Sequence, residues 1–518
     1  MRISSQQVVE ELKYQGLFSE YLPQNFNLLS DNCNIFDIPI KEKSDLIEPL
    51  TFTMSRFTND EQRRNIHLPE LTNYLKLVKY IEDQHITEEL IGFSSESENS
   101  FSKVLHKDGS ILKHEVNYNS LPKHTEGEES TKSTFIQNIV EKINRAKGAK
   151  GILFVDIANF YGSIYTHLFP AIPLGFEEAM EQYKIYMANK QDENIKEEYV
   201  KYINLDKKIR MLNGGRTNGL LTGPNISFIL AESLLTRIDI ELKEEGIEFV
   251  RYMDDYEVFI YDESKIDKTK SKVIKVLSKY YLSLNNEKTE YRSYPYFKFK
   301  NLERIYESFT NDELEEADII ELFNKFFELE EDGSKGAVRY LIKTIDDNFR
   351  TENFQLFESF LINVLVNDNR SLLKTCELLI KEKDSLEIDG NFVELIESLI
   401  VQYANSHKDL EVIWLLYLLK SLSETAIEHD TVKRVVVSEN ELAIIILLEE
   451  YEDSITDEIK KDIIDSANSW ILLYQLYLKD WIEDKEFEEC AGIKHNLPFY
   501  KKLKNNEFTF YKKISESQ

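Results

Sequence analysis

Three aspartates carry the clearest chemistry in this sequence. Asp156 stands near the end of a short apolar run, Gly151 to Ile157 (GILFVDI), and Asp254-Asp255 sit together within Glu248 to Tyr261 (EFVRYMDDYEVFIY). Carboxylates are the preferred ligands of hard divalent cations. Two such cations about 3.5–4 Å apart can activate an attacking oxygen and stabilise a leaving one, which is what nucleotidyl transfer demands. Either feature alone is weak. An Asp after a strand is common, and an Asp-Asp pair in an acidic chain is ordinarily a solvated turn.

The elements around them make the case stronger. GILFVDI has the length of a buried strand, and the second segment is β-rich on both sides of its acids, which predicts a hairpin with Asp254 and Asp255 at the tip. Between the two lies a predicted helix, Ser227 to Lys243, with Ile229, Leu230, Leu234, Ile238 and Leu242 on one face. Another follows over Ile266 to Leu282. Upstream, Leu68 to Ile81 reads as an amphipathic helix, Ser94 to Ser102 as a Ser-rich loop, and Lys123 to Ser133 as a charged loop. From about residue 312 onward nearly every segment is helical: Leu314–Glu328, Lys335–Asp346, Asn353–Asn367, Ser371–Glu382 and Asn391–Tyr403. Their rhythm fits stacked helical pairs, with Trp414, Trp470 and Trp481 as expected core residues. The expectation is an α+β chain: an N-terminal region over 1–149, a strand-and-helix region over 150–300 that holds the acids, and an all-α region over 301–518.

Composition is consistent with that division. At 518 residues and 42% hydrophobic, the chain is long enough for more than one core. Its 17 Gly and 10 Pro are too few for a turn-rich all-β protein. Cys33, Cys376 and Cys490 match neither a metal-ligand spacing nor a disulfide framework and read as free thiols. No secretory leader follows Met1-Arg2, and apolar stretches such as Leu442 to Leu448 are too short to span a bilayer. A soluble cytoplasmic protein is expected. Residues 301–518 carry 24 basic and 47 acidic side chains, which is −23 of the chain's −30. That acid-rich part should repel nucleic acid except along a local basic groove.

The motifs occur in a fixed order over residues 154–289: FVDIANFYGSIYTH, NGLLTGPNISFILAESL, RYMDDYEVFIY and LSLNNEKT. This set resembles the ordered motifs of reverse transcriptases. The resemblance implies that Asp156, Asp254 and Asp255 bind Mg2+, with Mn2+ as an alternative, and that the Ile157 backbone carbonyl helps. Tyr161, five residues after Asp156, resembles the steric gate that excludes a 2′-hydroxyl; a plain core tyrosine is the competing reading. Gly223 would let the backbone pass beneath the nascent base pair. Lys288 resembles the lysine beside the pyrophosphate, against an ordinary surface lysine. Upstream, Arg63 and Arg64 in EQRRNIHLP resemble an element that clamps the triphosphate of a dNTP, against a plain basic surface pair.

Finer details narrow the resemblance. Thr222 precedes Gly223 where retroviral and group II intron enzymes usually carry Gln. The run NFYGSIYTH, the helical C-terminal part with Gly333-Ser334-Lys335-Gly336-Ala337, and the tail PFYKKLKNNEFTFY resemble abortive-infection reverse transcriptases of the AbiK type and related defence enzymes. That resemblance implies fingers and palm followed by a HEAT-like helical domain in place of a thumb, and a role in protecting bacteria against phage. It further implies DNA synthesis started on a protein side chain, a single-stranded DNA product covalently attached, and a homo-oligomer, trimer or hexamer. Some relatives polymerise without a template and others copy a non-coding RNA. Two other classes compete: a catalytically silent binding scaffold, and a metal-dependent nuclease, which the YMDD hairpin and the Gly219–Ser227 turn have no reason to accompany.

Overall fold

The computed structural model describes the chain apart from residues 1–4, 31, 57–58, 96, 104–131, 298–300, 310–312, 346–348 and 517–518. The charged stretch expected as a loop over 123–133 falls outside the described residues as far as 131; a helix, Lys132–Arg145, begins there.

The chain divides into two compact units. The first comprises residues 1–20, 36–49 and 67–298. The second comprises residues 21–35, 50–66 and 299–518. The backbone therefore passes between them five times, and each unit is assembled from distant stretches of sequence.

A hairpin of β1 (Leu50–Arg56) and β2 (Asn59–Leu68) forms a two-stranded sheet. The first unit holds a four-stranded sheet of β3 (Gly151–Asp156), β4 (Phe249–Tyr252), β5 (Asp255–Ile260) and β6 (Glu290–Ser293), in the order β4-β5-β3-β6. Every pairing is antiparallel. β3 is central, which explains its nearly unbroken apolar run: Ile152, Leu153 and Val155 are all buried. The hairpin expected around Asp254-Asp255 forms, with Tyr252 opposite Asp255. The helix Asn225–Glu244 begins at Pro224 and buries Ile229, Leu230, Leu234, Ile238 and Leu242, the face read from its periodicity.

Helix boundaries differ from the sequence reading by a few residues, and one of them has a clear local cause. The helix expected from Leu68 begins at Leu71, because Leu68 closes β2 and Glu70 caps the helix. The Glu70 carboxylate accepts from the N–H groups of Thr72 and Asn73 at 2.8 and 2.9 Å, satisfying donors that a helix start leaves unpaired.

In the second unit helices follow one another from Leu302 to Asn505. Helix Asp409–Leu422 packs against Leu372–Lys381, Gly390–Asn405 and Glu441–Glu450, so contacts run to the next helix and the next but one. Leu442 to Leu448 is buried on every side, which accounts for its uniform apolarity. Among the described residues no helix is long and apolar enough to cross a membrane. Trp414 and Trp470 are buried as expected. Trp481 is not a core residue: it is partly exposed, with the Lys460 ammonium 4.4 Å from its ring.

Part of the acidity is structural. Glu397 accepts from the Glu428 N–H and, at 2.6 Å, from the Thr431 hydroxyl. Glu441 accepts from the N–H groups of Asn468 and Ser469. Glu330 does the same for Gly336 and Val338. These buried or half-buried carboxylates pair the open N–H groups where the next helix starts.

Candidate active site

The sheet brings the expected acids together. Asp156, last residue of β3, lies directly opposite Asp255, first residue of β5. Asp254 occupies the two-residue turn with Met253, whose backbone sits in the left-handed region at φ +52°. Asp156 is 7% exposed. The Asp255 carboxyl is pushed up to about 6, first by desolvation and then by the charges of Asp254 and Asp156, with Lys288 pulling the other way. Asp255 keeps solvent access, and the like charges of Asp254 and Asp156 beside it favour its neutral form.

Lys288 reaches the same cluster. Its Nζ lies 2.8 Å from Asp156 Oδ2. The segment LNNEKT is a turn built on Asn285. The Asn285 N–H donates to the Asp156 carbonyl at 2.8 Å, and its own carbonyl accepts from the Thr289 N–H and hydroxyl at 3.0 and 2.7 Å. The spacing of Asn285 and Lys288 thus docks the turn on β3 and aims the ammonium at Asp156.

Ile157 has a buried side chain and forms an antiparallel bridge with Leu284. The bonds of that bridge run from Ala158 N–H to Ser283 and from Asn285 N–H to Asp156. They use the groups of its neighbours, so the Ile157 carbonyl is not spent on the Leu284 side.

Tyr161 lies in the helical turn Phe160–Ser163. The motif segment crosses it: Leu220 N–H donates to the Tyr161 carbonyl and Gly219 N–H to Ile164, both at 2.8 Å. Gly219 is at φ +90°, and a Cβ there would sit 3.4 Å from Gly162. Gly223 is also in the positive region, at φ +131°. The Thr222 carbonyl beside it accepts from the His67 N–H at 2.7 Å. The structure therefore joins Tyr161 to the 219–223 segment through backbone pairing.

The two arginines do not share one environment. Arg63, on β2, places its Nη atoms 2.6 and 2.7 Å from the two carboxylate oxygens of Glu411. It also donates to Ser55 Oγ and Thr53 Oγ1. Glu411 is 3% exposed and takes a further bond from Ser55 Oγ. Arg63, expected as a triphosphate ligand, is committed to a buried carboxylate. Arg64 is exposed.

The donor set suits a hard divalent cation: three carboxylates stand together at the end of β3 and in the β4–β5 hairpin, and desolvation with the neighbouring acids raises the proton affinity of one. Among the described residues no group of three or more His, Cys, Asp or Glu side chains closes to metal-holding geometry, and Lys288 occupies one oxygen of Asp156.

A second set of residues went unread in the sequence. Arg251, 0% exposed, uses all five of its N–H donors: on Glu232, on Asp239 and on the Met253 carbonyl at 2.9 Å. Ser102 Oγ accepts from the Met253 N–H at 2.8 Å. The stretch expected as a Ser-rich loop is irregular beyond the helix Ile86–Ser95 and also bridges β4: Arg251 N–H donates to Asn99, and Phe101 N–H to Arg251. The available signal was a charged residue at an inward position of a strand otherwise apolar on that side, where burial demands partners.

No curated protein matches the chain. Residues 104–341 match the family model described as Reverse transcriptase (RNA-dependent DNA polymerase), and they include all three aspartates, Tyr161, Gly223 and Lys288. The chain thus carries a reverse-transcriptase domain.

Proposed function

We propose that this protein is a DNA polymerase of bacterial anti-phage defence, of the abortive-infection type, that starts synthesis on a protein side chain and extends without a template. The observation that carries the polymerase reading is the meeting of Asp156 with Asp255 across β3 and β5, with Asp254 at the tip and Lys288 on Asp156, inside a reverse-transcriptase domain.

In this reading Asp156, Asp254 and Asp255 hold divalent cations, Mg2+ or Mn2+, with help from the Ile157 carbonyl. Such cations supply Lewis-acid activation of the attacking oxygen and charge stabilisation on the leaving pyrophosphate. Lys288 releases Asp156 and offers its ammonium proton to the pyrophosphate oxygen. The Tyr161 ring blocks a 2′-hydroxyl and so selects dNTPs. Gly223 leaves room for the nascent base. Arg64 keeps its donors for a triphosphate, since Arg63 is engaged.

The defence role, protein priming, HEAT-like character of the C-terminal helices and oligomeric state rest on the resemblance of the sequence motifs. The acid-rich C-terminal part adds support, because a single strand needs no strongly basic grip on a duplex. One observation favours a second reading, in which an associated non-coding RNA is copied: the matching family is described as RNA-dependent. Purified protein incubated with Mg2+ and each labelled dNTP, with and without RNase, separates the two. Label that stays on denatured protein and survives RNase supports untemplated, protein-primed synthesis. Loss of label on RNase treatment moves the assignment to the templated reading.

A further inference from the structure

The catalytic hairpin is held from behind by a closed polar network. Arg251, Glu232 and Asp239 are essentially inaccessible to solvent. Glu232 accepts from Arg251 Nη1 and Nη2 at 2.8 and 2.9 Å. It also accepts from Ser100 Oγ at 2.6 Å and Ser102 Oγ at 3.1 Å. Asp239 takes the Arg251 Nε and Nη2 donors at 2.8–3.0 Å. Both carboxylates come from the helix Asn225–Glu244, the serines from residues 99–102, and the guanidinium from β4.

Two bonds of this network end on one residue of the turn. Arg251 Nη1 donates to the Met253 carbonyl at 2.9 Å, and the Met253 N–H donates to Ser102 Oγ at 2.8 Å. Met253 is the first turn residue, in a left-handed conformation that a non-glycine side chain adopts only under constraint. Its carbonyl belongs to the peptide that starts Asp254. Gripping that backbone on both sides fixes where the Asp254 and Asp255 carboxylates point. A structural ion pair for stability alone has no need to reach the turn.

We infer that Ser102, Arg251 and Glu232 form a positioning clamp that sets the Asp254 and Asp255 carboxylates for cation binding. This rests on the metal-binding reading of those acids. Groups that orient metal-binding side chains from behind typically change metal affinity or activity by about 10–100-fold when removed. Arg251→Ala would strand two buried carboxylates and is a poor probe, because it also threatens the fold. Ser102→Ala removes one oxygen, and Ser100→Ala is the comparison: each deletes a hydroxyl bond to Glu232, but only the Ser102 hydroxyl bonds the hairpin turn, while Ser100 Oγ accepts from the Ser102 N–H at 3.1 Å and so reaches the turn only through Ser102.

The test uses the full chain. Mn2+ binding is followed by electron paramagnetic resonance, alongside thermal midpoint and the split between kcat and KM for dNTP. The clamp predicts that Ser102→Ala weakens Mn2+ binding and lowers kcat by about tenfold, with KM nearly constant and a midpoint like that of Ser100→Ala. Ser102→Thr, which keeps the hydroxyl, recovers Mn2+ affinity. Wild-type Mn2+ affinity and wild-type kcat in Ser102→Ala overturn the clamp and leave a purely structural network. Wild-type protein that binds no Mn2+ overturns the carboxylate site itself, and so the proposed function. The two failures are distinguishable.

Discussion

Arg63 and Glu411, 348 positions apart in the chain, meet as a bidentate ion pair at 2.6 and 2.7 Å. Glu411 is 3% exposed, so removing its partner leaves a charge in a poor solvent. Arg63→Ala is expected to destabilise the fold by about 3–5 kcal/mol, and Arg63→Lys should recover little, because an ammonium cannot bridge both oxygens. Thermal unfolding of both variants checks this.

Arg64 should behave in the opposite way. Arg64→Ala is expected to leave the thermal midpoint within about 1 °C, since exposed substitutions rarely cost more than about 0.5 kcal/mol. Its KM for dNTP should rise roughly tenfold, the loss of one charge-assisted contact. An Arg64→Ala enzyme with an ordinary KM removes that residue from the triphosphate.

Asp255 ties stability and activity to pH with opposite signs. Its carboxyl is held at about 6 in the folded chain, so between that pH and the ordinary carboxylate range the folded state binds a proton that the unfolded state does not. The group adds stability as pH falls through about 6 and withdraws it as pH rises. Cation binding needs the ionised form, so Mn2+ affinity should fall as pH is lowered through about 6. Asp255→Asn should abolish synthesis yet raise the thermal midpoint at pH 7 by about 1–3 °C, a small gain because solvent screens the repulsion. A lowered midpoint would contradict the crowding argument.

Tyr161 is predicted to govern sugar choice. Tyr161→Ala should reduce discrimination against rNTPs by at least about tenfold while dNTP incorporation persists. Unchanged discrimination would mark Tyr161 as an ordinary packing residue, serving the backbone bond to Leu220.

Truncation should fail. The second unit includes residues 21–35 and 50–66, where Phe26 and Met54 are buried, Phe26 pairs with Tyr511, and the Trp414 indole donates to the Tyr21 carbonyl. A fragment ending at 298 exposes these segments, and it is expected to aggregate when expressed alone. A soluble, monodisperse fragment on size-exclusion chromatography would show that the N-terminal stretches do not need the helices.

Much of this was legible in the sequence, for physical reasons. A short apolar run after Gly marks β3, β-rich sequence on both sides of Asp254-Asp255 marks the Tyr252–Asp255 hairpin, and a 3.6-residue period marks the face of Asn225–Glu244. The helix at Leu71 was placed three residues early because Leu68 is apolar in either element; Pro69 and the capping Glu70 held the signal for the true start. What stayed hidden is long-range pairing. Nothing local tells Arg63 that its partner is Glu411, one of 93 acidic residues. Likewise Ser100 and Ser102 read as loop composition until Glu232 and the Met253 backbone are placed beside them.

The most direct measurement is deoxynucleotide incorporation by purified protein with Mg2+, comparing wild type with Asp254→Asn, both without and with a supplied primer–template. Wild type is expected to incorporate label and the variant to lose about a thousandfold or more of that activity, with its thermal midpoint preserved. Incorporation that survives Asp254→Asn, or a wild-type protein inactive under every condition, would contradict the polymerase reading.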